Sequence, residues 1–360
     1  MVDSRFTPNR EPVAPYHLLD QDGTLHGTSP LTDGEALEAL RWMVLTRTFD
    51  DKATAMQRQG RFGTFSAVRG QEAAVVGASM ALDPARDWIA PQYRELPALL
   101  RHGYPMEHFA MYFMGNPRGG GIPTGVNMLP LQISLAAQIP QAVGIAWGLR
   151  LQGSDGVVVA FFGDGASSEG DFHESLNLAG LVKAPVIFFL QNNGWAISTP
   201  RDQQTAARTF AERAPGYGIE GVYVDGNDLL AVSDVMRTAV AKARRGEGPT
   251  LVEAVTHRTG PHNTADDPTR YVDEAQLAQW QSQDPIERVQ NYLTARGKWG
   301  AAQFESMRAD CAAHVDEAMS RARAAAVDGS DAIFDHVYAN PVPRVVAQRA
   351  AWAARNGGGA

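Results

Sequence analysis

Cysteine is almost absent from this chain of 360 residues, which has only Cys311. A single thiol cannot form an internal disulfide, and such sparse use of cysteine is typical of proteins in a reducing cytoplasm. Positive charge is also scarce, because 32 Lys and Arg residues stand against 40 Asp and Glu residues and give a net charge of -8. Proteins that bind nucleic acid through its phosphates usually carry a basic face, so this balance argues against a nucleic-acid partner.

Long hydrophobic runs are missing as well. No apolar stretch approaches the roughly 18 residues of a membrane span, and the N-terminal sequence MVDSRFTPNREP has no apolar segment of the kind found in signal peptides. The sequence therefore predicts a soluble, cytoplasmic protein that does not bind a membrane. What the chain does have is a 44% share of hydrophobic residues, which is enough to build a large core.

Short β-branched and aromatic segments alternate with longer segments of helical periodicity. Strands are predicted at residues 88–90, 157–162, 186–190, 222–224 and 251–255, and helices at 33–59, 71–82, 106–114, 138–149, 169–182, 228–244 and 301–326. Because buried strands that alternate with helices form parallel sheets, this order predicts an α/β fold with a doubly wound, mainly parallel sheet flanked by helices. The predicted organisation is an N-terminal arm (1–30), an α/β domain (31–300) and a C-terminal helical segment with a tail (301–360).

Polar motifs follow two of the predicted strands. Gly163, Asp164 and Gly165 come directly after the strand at 157–162, and a double Asn ending at Asn193 follows the strand at 186–190. Carboxylate and amide oxygens are ligands that Mg²⁺ accepts, and glycine lets the backbone approach a phosphate closely. Either motif alone is also typical of an ordinary surface turn. Together, at the ends of two strands that face one crevice, they predict a site for a metal diphosphate.

Two further groups of residues suit an anion. Arg258 and His262 lie in the loop after the last predicted strand, and Tyr93 and Arg94 follow the short strand at 88–90. Arg offers fixed bidentate donors, and His can carry a proton near neutral pH. By themselves, both groups are equally typical of a solvated polar loop.

The spacing of the Gly-Asp-Gly and Asn-Asn motifs resembles that of the thiamine diphosphate enzymes. The chain is more similar still to the alpha subunit of the E1 component of 2-oxoacid dehydrogenase complexes, over about residues 16–299. That resemblance rests on the segments RQGRFGTFSAVRGQEA (58–73), APQYRELPALLRHG (90–103), GVNMLPLQISLAAQIPQAVG (125–144), EGDFHESLNLAG (169–180) and RTGPHNTADDPTRY (258–271). It implies the thiamine diphosphate-binding fold, with thiamine diphosphate and Mg²⁺ as cofactors.

The resemblance also implies roles for individual residues. Those that would bind the cofactor are Gln92, Tyr93, Arg94, Ile133, Leu135, Gly163, Asp164, Gly165, Ala166, Asn193 and His262. Mg²⁺ would be held by Asp164, Asn193 and the backbone carbonyl of Trp195, and His262 would be the catalytic residue near the reacting centre. Phe65 would lie near the substrate. Without the resemblance, Ile133, Leu135 and Phe65 are also typical of ordinary core packing.

Two positions depart from the family pattern. Gln191 stands where some branched-chain members have an Arg before the double Asn, so phosphate binding would depend more on Tyr93, Arg94 and His262, with help from Arg258 or Arg270. Asn263 stands where mammalian relatives have a regulatory Ser. Regulation through that Ser is therefore excluded, and Thr264 is the remaining hydroxyl next to it.

The implied activity is the oxidative decarboxylation of a 2-oxoacid and the transfer of its acyl group to a lipoyl-bearing E2 partner. The resemblance further implies that the chain supplies half of an active site, with an E1 beta subunit supplying the other half in an α2β2 heterotetramer. The segments at 125–144 and 258–271 are most similar to pyruvate enzymes and favour pyruvate as the substrate. The N-terminal sequence PYHLLDQDGT is closer to branched-chain members, so 2-oxoisovalerate is the alternative.

Two other kinds of protein share some of these features. A transketolase-like enzyme would carry both halves of the cofactor site on one chain, but 360 residues leave no room for a second complete α/β unit. A non-catalytic paralogue that serves in assembly would not need Asp164, Asn193, Arg94 and His262, all of which are present. Cofactor binding by the complex would separate that last alternative from an enzyme.

Overall fold

The computed structural model describes residues 13–327, 329–335 and 337–356. Its helices are α1 (Asp33–Arg58), α2 (Glu72–Met80), α3 (Leu96–Arg101), α4 (Met106–Phe113), α5 (Gln138–Leu151), α6 (Gly170–Val182), α7 (Arg201–Gln204), α8 (Leu229–Arg244), α9 (Glu274–Gln281), α10 (Pro285–Ala295), α11 (Ala301–Ala324) and α12 (Pro343–Asn356). Its strands are β1 (Trp88–Ala90), β2 (Val158–Gly163), β3 (Val186–Asn192), β4 (Trp195–Ala196), β5 (Thr199–Pro200), β6 (Glu220–Asp225) and β7 (Thr250–Val255).

Five strands form one parallel sheet in the order β1-β2-β3-β7-β6. Alternate residues of β2 point to opposite faces, so that Phe161 belongs to one hydrophobic cluster and Phe162 to the other. Both faces are therefore buried at the centre of the sheet, as in other parallel sheets, and the central strands β2 and β3 are mostly apolar. The predicted α/β class with a parallel sheet between helices is confirmed.

Helices cover the two faces of the sheet unequally. The larger hydrophobic cluster includes residues of α1, α2, α8, α10 and α11 on one face, and the smaller hydrophobic cluster includes residues of α5 and α6 on the other.

The start of α1 is specified locally. Thr32 accepts a hydrogen bond from the Glu35 backbone N–H, and the Glu35 carboxylate accepts one in return from the Thr32 backbone N–H (2.7 Å). This reciprocal cap fixes the start of α1.

The described part of the predicted N-terminal arm is attached to the α/β domain. The backbone N–H groups of Leu18 and Leu19 both donate to Asp228 Oδ2 at 2.6 Å, and Tyr16 forms a parallel bridge with Val224 of β6. Residues 1–12 of that arm lie outside the described residues. The arm therefore acquires its order from the neighbouring start of α8 and from the edge of the sheet.

The C-terminal helix α11 packs against α1 and α4 and buries one face in the larger cluster, including Cys311. The tail at residues 357–360 lies outside the described residues. Within the described residues, no helix combines the length and apolar character needed to cross a membrane.

Helices α3, α7, α9, α10 and α12 were not predicted from the sequence, and the Gly- and Pro-rich segment at 117–130 contains a short 3-10 helix (Pro117–Gly120). Three of the missed helices carry a proline in their first turn, among them Pro97 and Pro285. Proline is tolerated there because the first N–H groups of a helix have no intrahelical partner. The prolines mark where these helices begin.

Candidate active site

A cavity of about 920 Å³ lies at the carboxyl ends of β1, β2 and β3. The parallel arrangement explains its place, because the loops that follow parallel strands meet at one edge of the sheet. All twelve residues predicted for the cofactor and the metal line it: Gln92, Tyr93, Arg94, Ile133, Leu135, Gly163, Asp164, Gly165, Ala166, Asn193, Trp195 and His262.

Asp164 and Asn193 are buried in the wall of this cavity. The Asp164 side chain is 1% exposed, and its Oδ2 accepts a hydrogen bond from Gln204 Nε2 at 2.6 Å. Asn193 Oδ1 accepts one from the Trp195 backbone N–H at 3.2 Å. Burial raises the pKa of the Asp164 carboxyl above its usual value. A buried carboxylate beside an amide oxygen is a donor set that fits a hard divalent cation, whose charge would offset the cost of burial.

Gly165 is required by a close approach of two segments. A Cβ atom at this position would lie 2.9 Å from the Cβ of Ala196 in β4. The turn after β2 and the strand β4 are therefore pressed together beside Asp164. Only glycine leaves room for this contact, and its absence of a side chain keeps the backbone open to the cavity.

Arg94 and His262 lie together on one side of the cavity. The Arg94 guanidinium donates to the backbone carbonyls of Ala67 (2.6 Å) and His262, and its Nη2 lies 3.2 Å from His262 Nδ1. Tyr93 places its ring edge-on to the imidazole, with 6.4 Å between the ring centroids. The predicted anion-binding residues from two distant loops are thus brought together by direct contacts.

His262 is held in its neutral form. Burial, together with the nearby positive charges of Arg94 and Arg258, lowers the pKa of its imidazole to about 4. Both guanidinium groups approach Nδ1, at 3.2 Å for Arg94 and 3.4 Å for Arg258. Because guanidinium groups only donate hydrogen bonds, Nδ1 is assigned as the acceptor and the ring proton to Nε2. His262 can therefore donate one hydrogen bond from Nε2 without carrying a charge.

Glutamine side chains in the wall contain polar atoms that have no protein partner. Gln71 Nε2, Gln92 Nε2 and Gln191 Oε1 are buried and lack a hydrogen bond. All three residues line the cavity. Since buried polar groups are normally satisfied, these atoms indicate a site shaped for a polar ligand.

Some of the sequence-based assignments are placed elsewhere. Phe65 does not line this cavity, because its ring is buried among Phe49, Phe109 and other aromatic residues of the core. Its neighbours Thr64 and Ser66 line the cavity instead. A role of Phe65 near the substrate stays a prediction that its position does not favour.

The two arginines that were expected to help with phosphate binding, Arg258 and Arg270, differ in their positions. Arg258 is buried and approaches His262, and it also donates to the Ile197 carbonyl at 2.9 Å. Arg270 has an 83% exposed side chain and pairs loosely with Asp267 at 3.9 Å. Of the two, Arg258 is the one that contacts a residue of the cavity wall.

Glu95 was missed in the sequence although it belongs to the cavity wall. Its carboxylate accepts hydrogen bonds from the backbone N–H groups of Gln92 and Arg94 and from the side chain of Gln191. In the sequence it reads only as the residue before an unpredicted helix, α3. The sequence did contain a signal for its role in the site, because Glu95 directly follows Arg94 in the loop after β1.

Residues 40–329 match the family model described as "Dehydrogenase E1 component". The match spans well over half of the chain. The chain belongs to this family. The dehydrogenase E1 components use thiamine diphosphate, so the predicted class of cofactor and the fold agree with the family.

Individual relatives specify which E1 subunit this is. The chain is 44% identical over 342 residues to 3-methyl-2-oxobutanoate dehydrogenase subunit alpha of Mycobacterium tuberculosis, covering 94% of this chain and 93% of the relative. It is 43% identical over 286 residues to pyruvate dehydrogenase E1 component subunit alpha of Staphylococcus epidermidis (78% and 77%) and 41% identical over 309 residues to that of Staphylococcus aureus (84% and 83%). This E1 chain is therefore the alpha subunit of a 2-oxoacid dehydrogenase, an oxidoreductase, as the sequence predicted.

Proposed function

We propose that this E1 alpha subunit binds thiamine diphosphate through Mg²⁺ and catalyses the oxidative decarboxylation of a 2-oxoacid, with transfer of the acyl group to a lipoyl-bearing E2 protein. One observation carries the proposal. A buried acid–amide pair, Asp164 and Asn193, and a pair of hydrogen-bond donors, the cationic Arg94 and the neutral His262, line one cavity at the ends of three parallel strands. Such a site can hold a metal ion and a diphosphate together.

The residues of this chain would divide the work between them. Asp164, Asn193 and the Trp195 carbonyl would hold Mg²⁺, while Tyr93 and Arg94 would bind phosphate oxygens. The bound cofactor supplies the carbanion chemistry of decarboxylation, and the protein supplies orientation and electrostatics.

His262 would contribute a neutral donor at Nε2 toward the reacting centre, because its pKa of about 4 keeps it uncharged at neutral pH. The imidazole could then hydrogen-bond to a substrate oxygen without adding a full positive charge to a cavity that already contains Arg94. Ile133 and Leu135 would offer apolar contacts to the cofactor ring.

The cavity rim supports the proposal that an E1 beta subunit completes the site. Ile133 is 53% exposed and Ile197 is 55% exposed, and both line the cavity. Large apolar side chains at the mouth of a binding site indicate a surface that a partner covers. We propose that the beta subunit supplies this cover in an α2β2 heterotetramer that acts in the cytoplasm.

For the substrate we favour a branched 2-oxoacid, contrary to the preference for pyruvate drawn from the sequence. The part of the lining that comes from residues 60–66 and 112–115 includes Phe62, Tyr112, Phe113 and Met114, which can bury an aliphatic branch. The relative that covers 94% of the chain is named for 3-methyl-2-oxobutanoate. Pyruvate is the second candidate, since relatives named for it are nearly as similar.

The test is decarboxylation by this chain with its beta partner, Mg²⁺ and thiamine diphosphate, followed with a dye acceptor. We expect a higher kcat/KM for 3-methyl-2-oxobutanoate than for pyruvate. Each methylene buried in an apolar pocket contributes about 1–3 kcal/mol to discrimination, so a preference of at least about tenfold is expected. A reversed preference would assign the enzyme to pyruvate, and loss of all activity without thiamine diphosphate is the control for cofactor dependence.

A further inference from the structure

Glu95 is a buried acid whose contacts all go to residues that shape the cavity. Its side chain is 1% exposed, and burial raises the pKa of the carboxyl to about 6. Oε2 accepts hydrogen bonds from the backbone N–H groups of Gln92 (2.9 Å) and Arg94 (3.0 Å). Oε1 accepts one from Gln191 Nε2 at 2.6 Å.

These contacts connect three strands at the edge where the cavity opens. Gln92 and Arg94 belong to the loop after β1, and Gln191 is part of β3. Gln92 extends the connection to β2, because its Oε1 accepts a hydrogen bond from the Gly163 backbone N–H at 3.2 Å. One carboxylate therefore fixes the relative position of the loop that carries Arg94 and the strand that leads to Asn193.

The fold alone gives little reason for a carboxylate at this place. Burying a charged group costs free energy, and an amide or an apolar side chain costs less when it fits. The Arg94 guanidinium does not form its hydrogen bonds with Glu95 but with the carbonyls of Ala67 and His262. The acid thus orients the Arg94 backbone while the Arg94 side chain stays directed toward His262.

We propose that Glu95 is a positioning residue for the diphosphate-binding side of the cavity: through Gln92, Arg94 and Gln191 it holds the binding groups in place before the cofactor arrives. The proposal rests on the proposed function, since it assumes that the cavity binds Mg²⁺ and thiamine diphosphate. Glu95 itself does not need to touch either one.

The experiment compares Glu95→Ala and Glu95→Gln in the complex of this chain with its beta partner. Binding of Mg²⁺-thiamine diphosphate is measured by calorimetry, and the melting temperature is measured without cofactor. We expect Glu95→Ala to bind at least about tenfold more weakly, because three donors lose their acceptor. Glu95→Gln is expected to stay within about threefold of the wild type, since its carbonyl oxygen can still accept both backbone N–H groups and the Gln191 amide can turn to match.

Asp228→Ala is the matched control. Asp228 is a buried carboxylate that also accepts several backbone N–H groups, those of Leu18, Leu19, Leu230 and Ala231, but it does not line the cavity. We expect this variant to melt at a lower temperature and to bind the cofactor with unchanged affinity. A weaker affinity for the cofactor in Glu95→Ala but not in Asp228→Ala would separate positioning of the site from a general loss of stability.

Two outcomes overturn the proposal: unchanged affinity in Glu95→Ala, or equal losses in Glu95→Ala and Glu95→Gln, which would point to charge rather than geometry. If Glu95→Ala does not fold, Glu95→Asp replaces it, because a carboxylate shorter by one methylene cannot reach both the loop after β1 and Gln191 of β3. Full affinity in Glu95→Asp would then contradict the proposal. A wild-type complex that does not bind the cofactor would instead refute the proposed function.

Discussion

At the scale of single residues, burial has the same effect on acids and bases of the site. It raises the pKa of Asp164 and Glu95 and lowers that of His262, so each group is pushed toward its neutral form. For Asp164 this tendency opposes its proposed role, which needs the carboxylate. A bound cation would restore the charged form, so part of the metal's binding energy is spent on ionising its ligand.

Replacing Asp164 with Asn should therefore separate stability from binding. The cofactor-free complex with Asp164→Asn is expected to melt at the same or a higher temperature, because a buried charge is removed. Mg²⁺-thiamine diphosphate is expected to bind more than about 100-fold more weakly, since even outer contacts of a metal site contribute 10–100-fold. Melting curves with and without cofactor test both parts.

The control for this variant is Asp171→Asn, which alters an exposed acid in the first turn of α6. It should leave the cofactor-dependent rise in melting temperature unchanged. A normal rise in the Asp164→Asn complex would exclude Asp164 as a metal ligand.

The resemblance to the E1 family allowed the twelve cavity-lining residues to be predicted, and some of them, such as Asp164 and Asn193, lie directly after strands. The sequence did not show which side chains of a loop face the cavity and which face the core. Thr64 and Ser66 face the cavity and Phe65 faces the core, as neighbours do in an extended segment. Nor did the sequence reveal Glu95, whose hydrogen bond with Gln191 joins residues that are far apart in the sequence.

At the scale of elements, the turn between β2 and α6 carries Asp164, the proposed metal ligand, and this turn packs against β4. Gly165→Ala would place a methyl group 2.9 Å from the Cβ of Ala196. The turn or β4 must then move, and Asp164 moves with it. We expect weaker binding of Mg²⁺-thiamine diphosphate, by about tenfold or more, because displacements of about 1 Å matter in such sites.

Gly170→Ala is a suitable comparison for this change, because Gly170 starts the next helix and an added Cβ would meet only the flexible end of Glu174, at 3.4 Å. Calorimetric titration of both variants gives the answer. Similar affinities for the two would show that the contact with β4 does not control the site.

Most elements that pack in the core could be predicted from their apolar residues. The five strands of the parallel sheet and helices α1, α2, α4, α5, α6, α8 and α11 were anticipated, with shifts of a few residues at their ends. Helix α9 could not be anticipated in this way, because it has eight residues, begins at the Asp273 cap and buries only Trp280. Helix α10, by contrast, buries Ile286, Val289 and Leu293 at helical spacing, and this signal was overlooked.

At the scale of the whole molecule, α5 and α6 cover one face of the sheet but leave large apolar side chains in solvent. Leu151 is 74% exposed and Leu181 is 79% exposed, at the neighbouring ends of the two helices. Arg150 joins these ends by donating to the carbonyl of Lys183 at 2.9 Å. A surface of this kind suits an assembly whose other chains cover it.

A double variant, Leu151→Glu with Leu181→Glu, tests this surface. We expect the chain alone to keep its circular dichroism spectrum, because both side chains are mostly exposed. The heterotetramer with the beta partner is expected to dissociate, since two carboxylates would be buried without partners. Light scattering after size-exclusion chromatography measures the assembly.

Val327→Glu serves as the control, because Val327 is equally exposed but follows α11, which packs on the opposite face of the sheet. It should assemble normally. Intact heterotetramers in the double variant would mean that the α5–α6 surface is not an interface.

The bridge between Tyr16 and Val224 covers part of an open edge of the sheet. Strand β6 is last in the sheet order, so its outer row of N–H and C=O groups would be open to pairing with another chain. Tyr16 blocks part of this row, since its N–H donates to the Tyr223 carbonyl and its carbonyl accepts from the Asp225 N–H, both at 2.9 Å. Tyr16 therefore covers part of the edge at which a second chain could otherwise add a strand.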